Sequence, residues 1–544
     1  MNELKIKQDI SNQFIVYALI GIIFIGFVIR FLYFPYDISF SLDASVYFSY
    51  AYEMAISGEF PNKFILANNG WPTFLAVFFS MLKTGEFQTF VDLQRIISIV
   101  ISVLTVFPMY FLCRKFFPKI VSLIGGALFI LEPRVISNSI LGITEPVFNL
   151  LIITSLVAFF SKKNWIYFSF AFLALATIVR YEAFLLIIPF SIMFFLKLRR
   201  DNRIIFKYLL CLGIFILILY PMMMIRTETM GVDGITSHVS AAMGAVDRHA
   251  IQGIPHDQPG ATDFPGERNQ FRLHNFLGVA FSHMFSSLGV IQLPIFVLFF
   301  PIGVFFLLRK YVIKKISYEH ITLILFIIVS SMPILYSHGR DIVDLRYYLI
   351  LYPVIILICC FGIEKIRHKI RSSILLISIF SFVIVATFAY LEYDKTNYEL
   401  ERESFEITSK ALKMADKINA GSLHGGYITV VSMIEKWPEL DRPNEAKERK
   451  ISPYSQCKYI DDVVQCTDSS DSLEDFIKNG KEKGLDHIVI DEVERDPRFI
   501  QDVFVNEEKY PYLEKMFDSK KEGYTYYVKI FKINFKEFEK LINE

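Results

Sequence analysis

Apolar and polar residues are laid out along this chain in long blocks. Eleven apolar runs fall near residues 14–34, 96–113, 120–140, 144–161, 164–181, 183–198, 204–225, 289–308, 320–337, 345–363 and 373–391. A hydrocarbon core roughly 30 Å thick takes about 20 residues of helix to cross. The blocks therefore predict a polytopic α-helical membrane protein with about 11 transmembrane helices. One further apolar stretch, Trp71 to Leu82, is too short to cross alone and reads as a juxtamembrane or re-entrant helix.

That reading brings the basic clusters onto one side: Lys5 and Lys7; Arg114, Lys115 and Lys119; Lys162 and Lys163; Lys197 to Lys207; Arg309 to Lys315; and Lys365 to Arg371. Lysine and arginine mark cytoplasmic loops, which places the N-terminus in the cytoplasm and everything past about residue 392 outside. The first run is expected to stay as an anchor, because it is longer than a signal-peptide core and no small-x-small cleavage site follows it.

Past Tyr390 the blocks give way to mixed sequence. Helix-like segments (Ser404 to Ala420, Ser472 to Gly484, Asp496 to Val505) alternate with strand-like runs (Tyr427 to Ser432, His487 to Asp491, Tyr524 to Asn534). The expectation is two domains: a transmembrane domain, 1–391, with outer loops 35–95 and 226–288, and a soluble extracytoplasmic α/β domain, 392–544. Cys457 and Cys466 lie close together in the latter, where an oxidising compartment permits a disulfide; a bridge and two free thiols both remain open.

Composition agrees: 53% of residues are hydrophobic and 54 are Phe. A net charge of +1, with the basic residues distributed by topology, gives no nucleic-acid surface. Candidate chemistry lies in the outer loops. Pro35 to Arg95 carries Asp37, Asp43, Tyr47, Asn69 and Trp71; Asp43 and Tyr47, four apart, would share one helix face. The plain alternative is a solvated loop with interfacial aromatics. Ionisable groups recur at the outer ends of several runs: Glu132 and Arg134, Glu145, Arg180 with Glu182, Arg226, and Arg340 to Arg346 with Asp341 and Asp344. One charge at a helix end says little, but acids and arginines converging from several helices suit a cavity that binds phosphate and activates a hydroxyl. The loop 226–288 holds His238, His249, His256, His274 and His283, in no metal-ligand spacing, and reads as a substrate cover.

The run Asp43-Ala-Ser-Val-Tyr-Phe-Ser-Tyr-Ala, then Gly58-Glu-Phe-Pro and Asn69-Gly-Trp-Pro-Thr-Phe-Leu, resembles the first outer loop of the GT-C membrane glycosyltransferases. Gln94-Arg95, Thr144-Glu145-Pro146, Arg180-Tyr181-Glu182 and Arg346-Tyr347 continue that resemblance in order, over most of residues 14–363, and the pattern is most similar to archaeal members. The resemblance implies transfer of a single sugar, a hexose such as mannose, from a polyprenyl- or dolichyl-phosphate carrier to a protein or glycolipid acceptor at the outer face of the bilayer. It implies Asp43 and Glu145 as catalytic carboxylates, with Asp43 as base. Arg180 and Arg346, with Arg226 and Arg340 in reserve, would hold the donor phosphate, and Tyr47, Asn69, Trp71, Glu182 and Tyr347 would bind substrate. The chain departs from the family where Asp-x-Asp is usual: Asp43 stands alone with Asp37 six residues earlier, so the base stays open between them. The Trp-Trp-Asp-Tyr-Gly block of the oligosaccharyltransferases is absent, which argues against en bloc transfer. No cofactor is expected and a divalent metal is not favoured. The competing class is a transporter or flippase for a polar or lipid-linked substrate, which would place its charges near the bilayer midplane.

Overall fold

The computed structural model describes residues 11–36, 38, 42–62, 66, 68–82, 87–161, 163–238, 273–312, 318–340, 342–367, 372–414, 420–421, 458–460, 463–465, 472–482, 485–492 and 498–543. Asp37, Asp341, Cys457, Cys466, the expected strand Tyr427 to Ser432 and most of the histidine-bearing loop lie outside the described residues.

Ten of the eleven apolar runs are helical over most of their length, while 289–308 is interrupted: residues 293–299 form turns between the helices Leu273–Gln292 and Phe300–Val312. Among the described residues six helices are long and apolar enough to cross a membrane, seven if one bent pair counts as a single crossing. Runs 144–161 and 164–181 form the shorter helices Glu145–Phe160 and Ile166–Val179, and 183–198 begins as a tight 3-10 turn before Ile187–Lys197. Run 120–140 is two helices, Lys119–Ile130 and Pro133–Ile140, bent by 48°. The break has a chemical cause: Glu132 accepts a hydrogen bond from the Val135 N–H at 2.8 Å, capping a new helix that opens on Pro133. Gly70–Leu82 is a separate 13-residue helix, as its length requires.

Inside the bundle, small residues let helices approach and polar groups join them. Gly303 and Gly362 face each other where Phe300–Val312 crosses Tyr352–Arg367; a Cβ on Gly303 would lie 1.9 Å from the Ile358 carbonyl oxygen. Arg30, the one charge in Asn12–Leu32, is fully buried and donates to Ser139 Oγ (2.9 Å), Ser102 Oγ (2.9 Å) and the carbonyls of Gly26 and Ile130. Arg134 ties three elements together through the carbonyls of Val290 and Leu293 and the Tyr390 hydroxyl.

After the last apolar helix, Ser372–Tyr393, the chain enters helix Glu399–Met414 and a mixed sheet. We number the strands β1 (Ala420–Gly421), β2 (Lys458–Ile460), β3 (Val463–Gln465), β4 (His487–Asp491), β5 (Leu513–Asp518) and β6 (Val528–Ile533). Four form one sheet in the order β1-β4-β6-β5, parallel at β1/β4 and antiparallel elsewhere; β2 and β3 form a separate hairpin. Strand β4 is buried at every position because both its faces are covered. Alternation sends Ile488 and Ile490 to a core with helices Leu473–Glu482, Arg498–Val505 and Phe535–Asn543, and Val489 to the opposite face with Ile407 and Ala411 of Glu399–Met414. Glu403 of that helix accepts the backbone N–H groups of Thr525 (3.2 Å) and Tyr526 (2.6 Å). Burial works against its ionisation, but these bonds and the Thr525 hydroxyl hold its carboxyl below the usual range.

Candidate active site

Four separated segments meet at one end of the bundle. Asp43 lies in the first turn of Leu42–Ser57, where the helix N-terminus favours a carboxylate. Glu145 opens Glu145–Phe160, and Arg180 follows Ile166–Val179, its extended backbone (φ −146°, ψ 121°) ending that helix. Arg346 opens the 3-10 turn Leu345–Leu351, whose N-cap is Asp344.

The side chains join these segments by charge. Arg180 donates from Nη1 to Glu145 Oε1 at 2.5 Å and from Nη2 to Glu182 Oε1 at 2.8 Å. Arg346 pairs with Asp43 and, through Nε and Nη2 at 2.8 Å each, with Asp344 Oδ2. Tyr347 presents its ring to the Arg180 guanidinium at 5.7 Å, and Tyr47 lies among Asp43, Thr144, Glu145 and Arg180. Glu145, Arg180, Glu182, Arg346 and Tyr347 line a narrow cleft of about 20 Å³, together with Ser330 and Pro333 from helix Tyr318–Gly339.

The two pairs differ in solvation. Arg180 and its partners are nearly buried (side chains 16%, 4% and 9% exposed), whereas Arg346 and Asp43 are 37% and 48% exposed. Removing one partner of a buried pair costs about 3–5 kcal/mol, while opening an exposed pair costs about 0–1 kcal/mol. Arg180 is thus held in place, and Arg346 is free to exchange partners. Among the described residues two guanidinium groups pair with four carboxylates, a formal excess of two negative charges. An entering anion must therefore displace a carboxylate, and Asp43 is the one held most loosely.

Other residues expected to bind substrate brace this site from behind. Trp71 is fully buried and its indole N–H donates to the Gly142 carbonyl at 3.1 Å, the same oxygen that accepts Gln94 Nε2 at 2.8 Å. Gly142, at φ +76°, makes the turn that delivers Glu145; a Cβ there would lie 3.0 Å from Gln94 Cγ. Asn69 is buried against the Tyr50 hydroxyl at 3.3 Å, and its neighbour Asn68 receives the Tyr181 N–H at 3.1 Å, fixing the segment after Arg180. In this structure Trp71 and Asn69 are buried and brace the loops that carry the site; neither lines the charged cleft.

Arg226 and Arg340 do not line the cleft. Arg226 donates to the Leu66 carbonyl at 2.9 Å and borders a second small cavity with Asn69 and Asp233. Partial burial opposes ionisation of Asp233, but the Thr236 hydroxyl and the amides of Ser237 and Thr236 hold its carboxyl well below the usual range. Arg340 stacks on Tyr336 and meets its hydroxyl at 3.2 Å. The sequence reading passed over Arg30 and Ser330; the signal for the first is a lone charge in an apolar helix. Among the described residues no three His, Cys, Asp or Glu side chains are arranged to hold a metal ion.

No family model and no curated protein matches the sequence. Solved structures do. The Archaeoglobus fulgidus oligosaccharyltransferase with a tethered acceptor peptide is similar at a TM-score of 0.57 and 12% identity, over 95% of this chain and 74% of that one. The same enzyme in complex with Zn and sulfate gives 0.58 and 13%, over 94% and 72%. Its complex with an inhibitory peptide and a dolichol-phosphate, described as archaeal oligosaccharyltransferase AglB, gives 0.55 and 12%, over 94% and 74%. The likeness is one of fold: this chain is folded like that archaeal oligosaccharyltransferase over most of its length. The long apolar helices make the chain a membrane protein, and the charged cleft lies where helix ends converge.

Proposed function

We propose that this protein is a membrane glycosyltransferase that moves a single hexose, such as mannose, from a polyprenyl- or dolichyl-phosphate carrier to an acceptor on the outer face of the membrane. The observation that carries this reading is the cleft itself: two carboxylates and two arginines, brought from four segments to one end of a GT-C bundle. The C-terminal sheet domain lies on the same outer side, as the distribution of lysine and arginine implies.

The chemistry follows from the solvation difference. The donor phosphate takes the Arg346 guanidinium, and Asp43 is released as a free carboxylate beside the cleft. An acceptor hydroxyl oxygen attacks the anomeric carbon while Asp43 takes its proton, and the bond from that carbon to the phosphate oxygen breaks. The lipid phosphate leaves as a dianion between Arg346 and Arg180. Coupling the base to donor binding in this way keeps Asp43 occupied when no sugar is present. Glu145, fixed by Arg180, orients acceptor or sugar hydroxyls.

A protein acceptor is favoured over a glycolipid by the fold likeness to an enzyme that carries an acceptor peptide. A single sugar is favoured over an oligosaccharide by the missing Trp-Trp-Asp-Tyr-Gly block. The test is incorporation of radiolabelled sugar from synthetic polyprenyl-phosphate mannose and polyprenyl-phosphate glucose into membrane fractions, wild type against Asp43→Asn. Label that depends on wild-type protein supports the reading, and the labelled fraction names the acceptor. No transfer by folded wild-type protein from either donor would favour a transporter.

A further inference from the structure

Two polar groups in the cleft have no part in the chemistry above. Ser330, midway along Tyr318–Gly339, is 2% exposed, and its Oγ has no hydrogen-bond partner. Its neighbour Ser331 settles on the carbonyl one turn back, Ile327 O at 2.8 Å, as helical serines commonly do. Glu182 spends Oε1 on Arg180, while its Oε2 is buried with no partner. Each such orphan costs about 1–3 kcal/mol unless an occupant satisfies it.

The two orphans ask for opposite things. A carboxylate oxygen only accepts, so Glu182 Oε2 needs an O–H or N–H. The Ser330 hydroxyl lines the same cleft as the Arg346 and Arg180 guanidinium groups, and its O–H can donate to an oxyanion that they draw in. A bare lipid phosphate offers acceptors alone and serves one half of the cleft. A phosphate esterified to a sugar serves both, its oxygens toward Ser330 and Arg346 and one sugar hydroxyl toward Glu182.

We infer that Glu182 is the residue by which the site distinguishes a glycosylated lipid phosphate from the spent carrier, and that Ser330 contacts the phosphate common to both. This rests on the function proposed above. It gives product release a physical basis, since the carrier loses the Glu182 contact when the sugar departs.

The test uses the full-length protein in lipid nanodiscs and measures Kd for two probes, polyprenyl phosphate and polyprenyl-phosphate mannose. Wild type is expected to hold the mannosylated lipid about tenfold more tightly, the value of about 1.4 kcal/mol. In Glu182→Gln the side-chain oxygen stays on Arg180 and an amide N–H₂ replaces the acceptor; removing one negative charge tightens the phosphate of both lipids, so the readout is the ratio of the two Kd values, which should fall to about one. Ser330→Ala should weaken both lipids by the same factor, about fivefold. An undiminished preference in folded Glu182→Gln, or equal affinities in wild type, overturns the inference and leaves the two orphans to water. Should Glu182→Gln not fold, the wild-type ratio and Ser330→Ala decide. Wild type that binds neither lipid overturns the proposed function itself, a result distinct from equal binding of both.

Discussion

The helical bundle and the C-terminal sheet domain sort polar and apolar side chains in opposite senses. In the bundle, Arg30, Arg95, Arg134 and Arg226 are buried while Tyr17, Phe24, Met81 and Leu217 are exposed. In the sheet domain Ile488, Val489 and Ile490 are inside, and the lysines, among them Lys481, Lys515 and Lys520, pair or stack near the surface. Removal from water drives only the second arrangement. In lipid, apolar surface gains nothing by turning inward, and close packing with hydrogen-bonded polar groups holds helices together. The polar interior that holds the bundle together is also the material from which its candidate site is made.

Four perturbations break or sharpen that contrast. The largest expected effect is on chemistry with little on folding: Asp43→Asn, at the exposed rim, should lower sugar transfer about 10²–10⁴-fold while the melting temperature holds. Transfer at the wild-type rate would remove Asp43 as base. Next is Ile488→Ala, which should cost the sheet domain about 2–5 kcal/mol and leave the bundle folded, read out by limited proteolysis that clips the C-terminal domain alone. Gly303→Ala should do the reverse through backbone contact with Ile358, at about 1–3 kcal/mol and without faster clipping of the sheet. If both variants melt both regions together, the two are one cooperative unit.

The smallest effect is one of pH. Because the Glu403 carboxyl is held below its unfolded value, its contribution is complete above the ordinary carboxylate range and is lost as pH falls through the depressed folded value. Hydrogen exchange at the amides of Thr525 and Tyr526 should therefore accelerate on acidification before exchange within β4 does. Uniform acceleration across both would show that Glu403 does not control the docking of Glu399–Met414.

How much of this was legible depended on which force shaped each part. Apolar blocks announce helices in lipid, so each expected run carries helix; what the blocks hide is where a helix breaks, as at residues 293–299. The bend at Glu132 and Pro133 turns on one capping hydrogen bond inside a run that is otherwise apolar. In the sheet domain, a short apolar run marked β4 within its true bounds, while Leu513–Asp518, half solvent-facing, carried too weak a pattern to stand out. Asp43, Glu145, Arg180, Glu182, Arg346 and Tyr347 were legible as charges and rings at helix ends, and Tyr47 by its spacing from Asp43. An aromatic and an amide near the surface look the same in sequence whether they touch a ligand or a neighbouring loop, so the bonds of Trp71 to the Gly142 carbonyl and of Asn69 to the Tyr50 hydroxyl were not legible.

Arg30 carries a consequence for the order of events at birth. Its partners are Ser102, Ile130 and Ser139, between 72 and 109 residues further along the chain. At about 5–20 residues per second, the ribosome delivers the last of them roughly 5–20 s after the guanidinium itself is made. For that interval the first helix cannot rest in the middle of the bilayer with its charge unsatisfied; it must wait near the interface or in the insertion machinery. The helix that enters first is therefore seated no earlier than Pro133–Ile140, which carries Ser139.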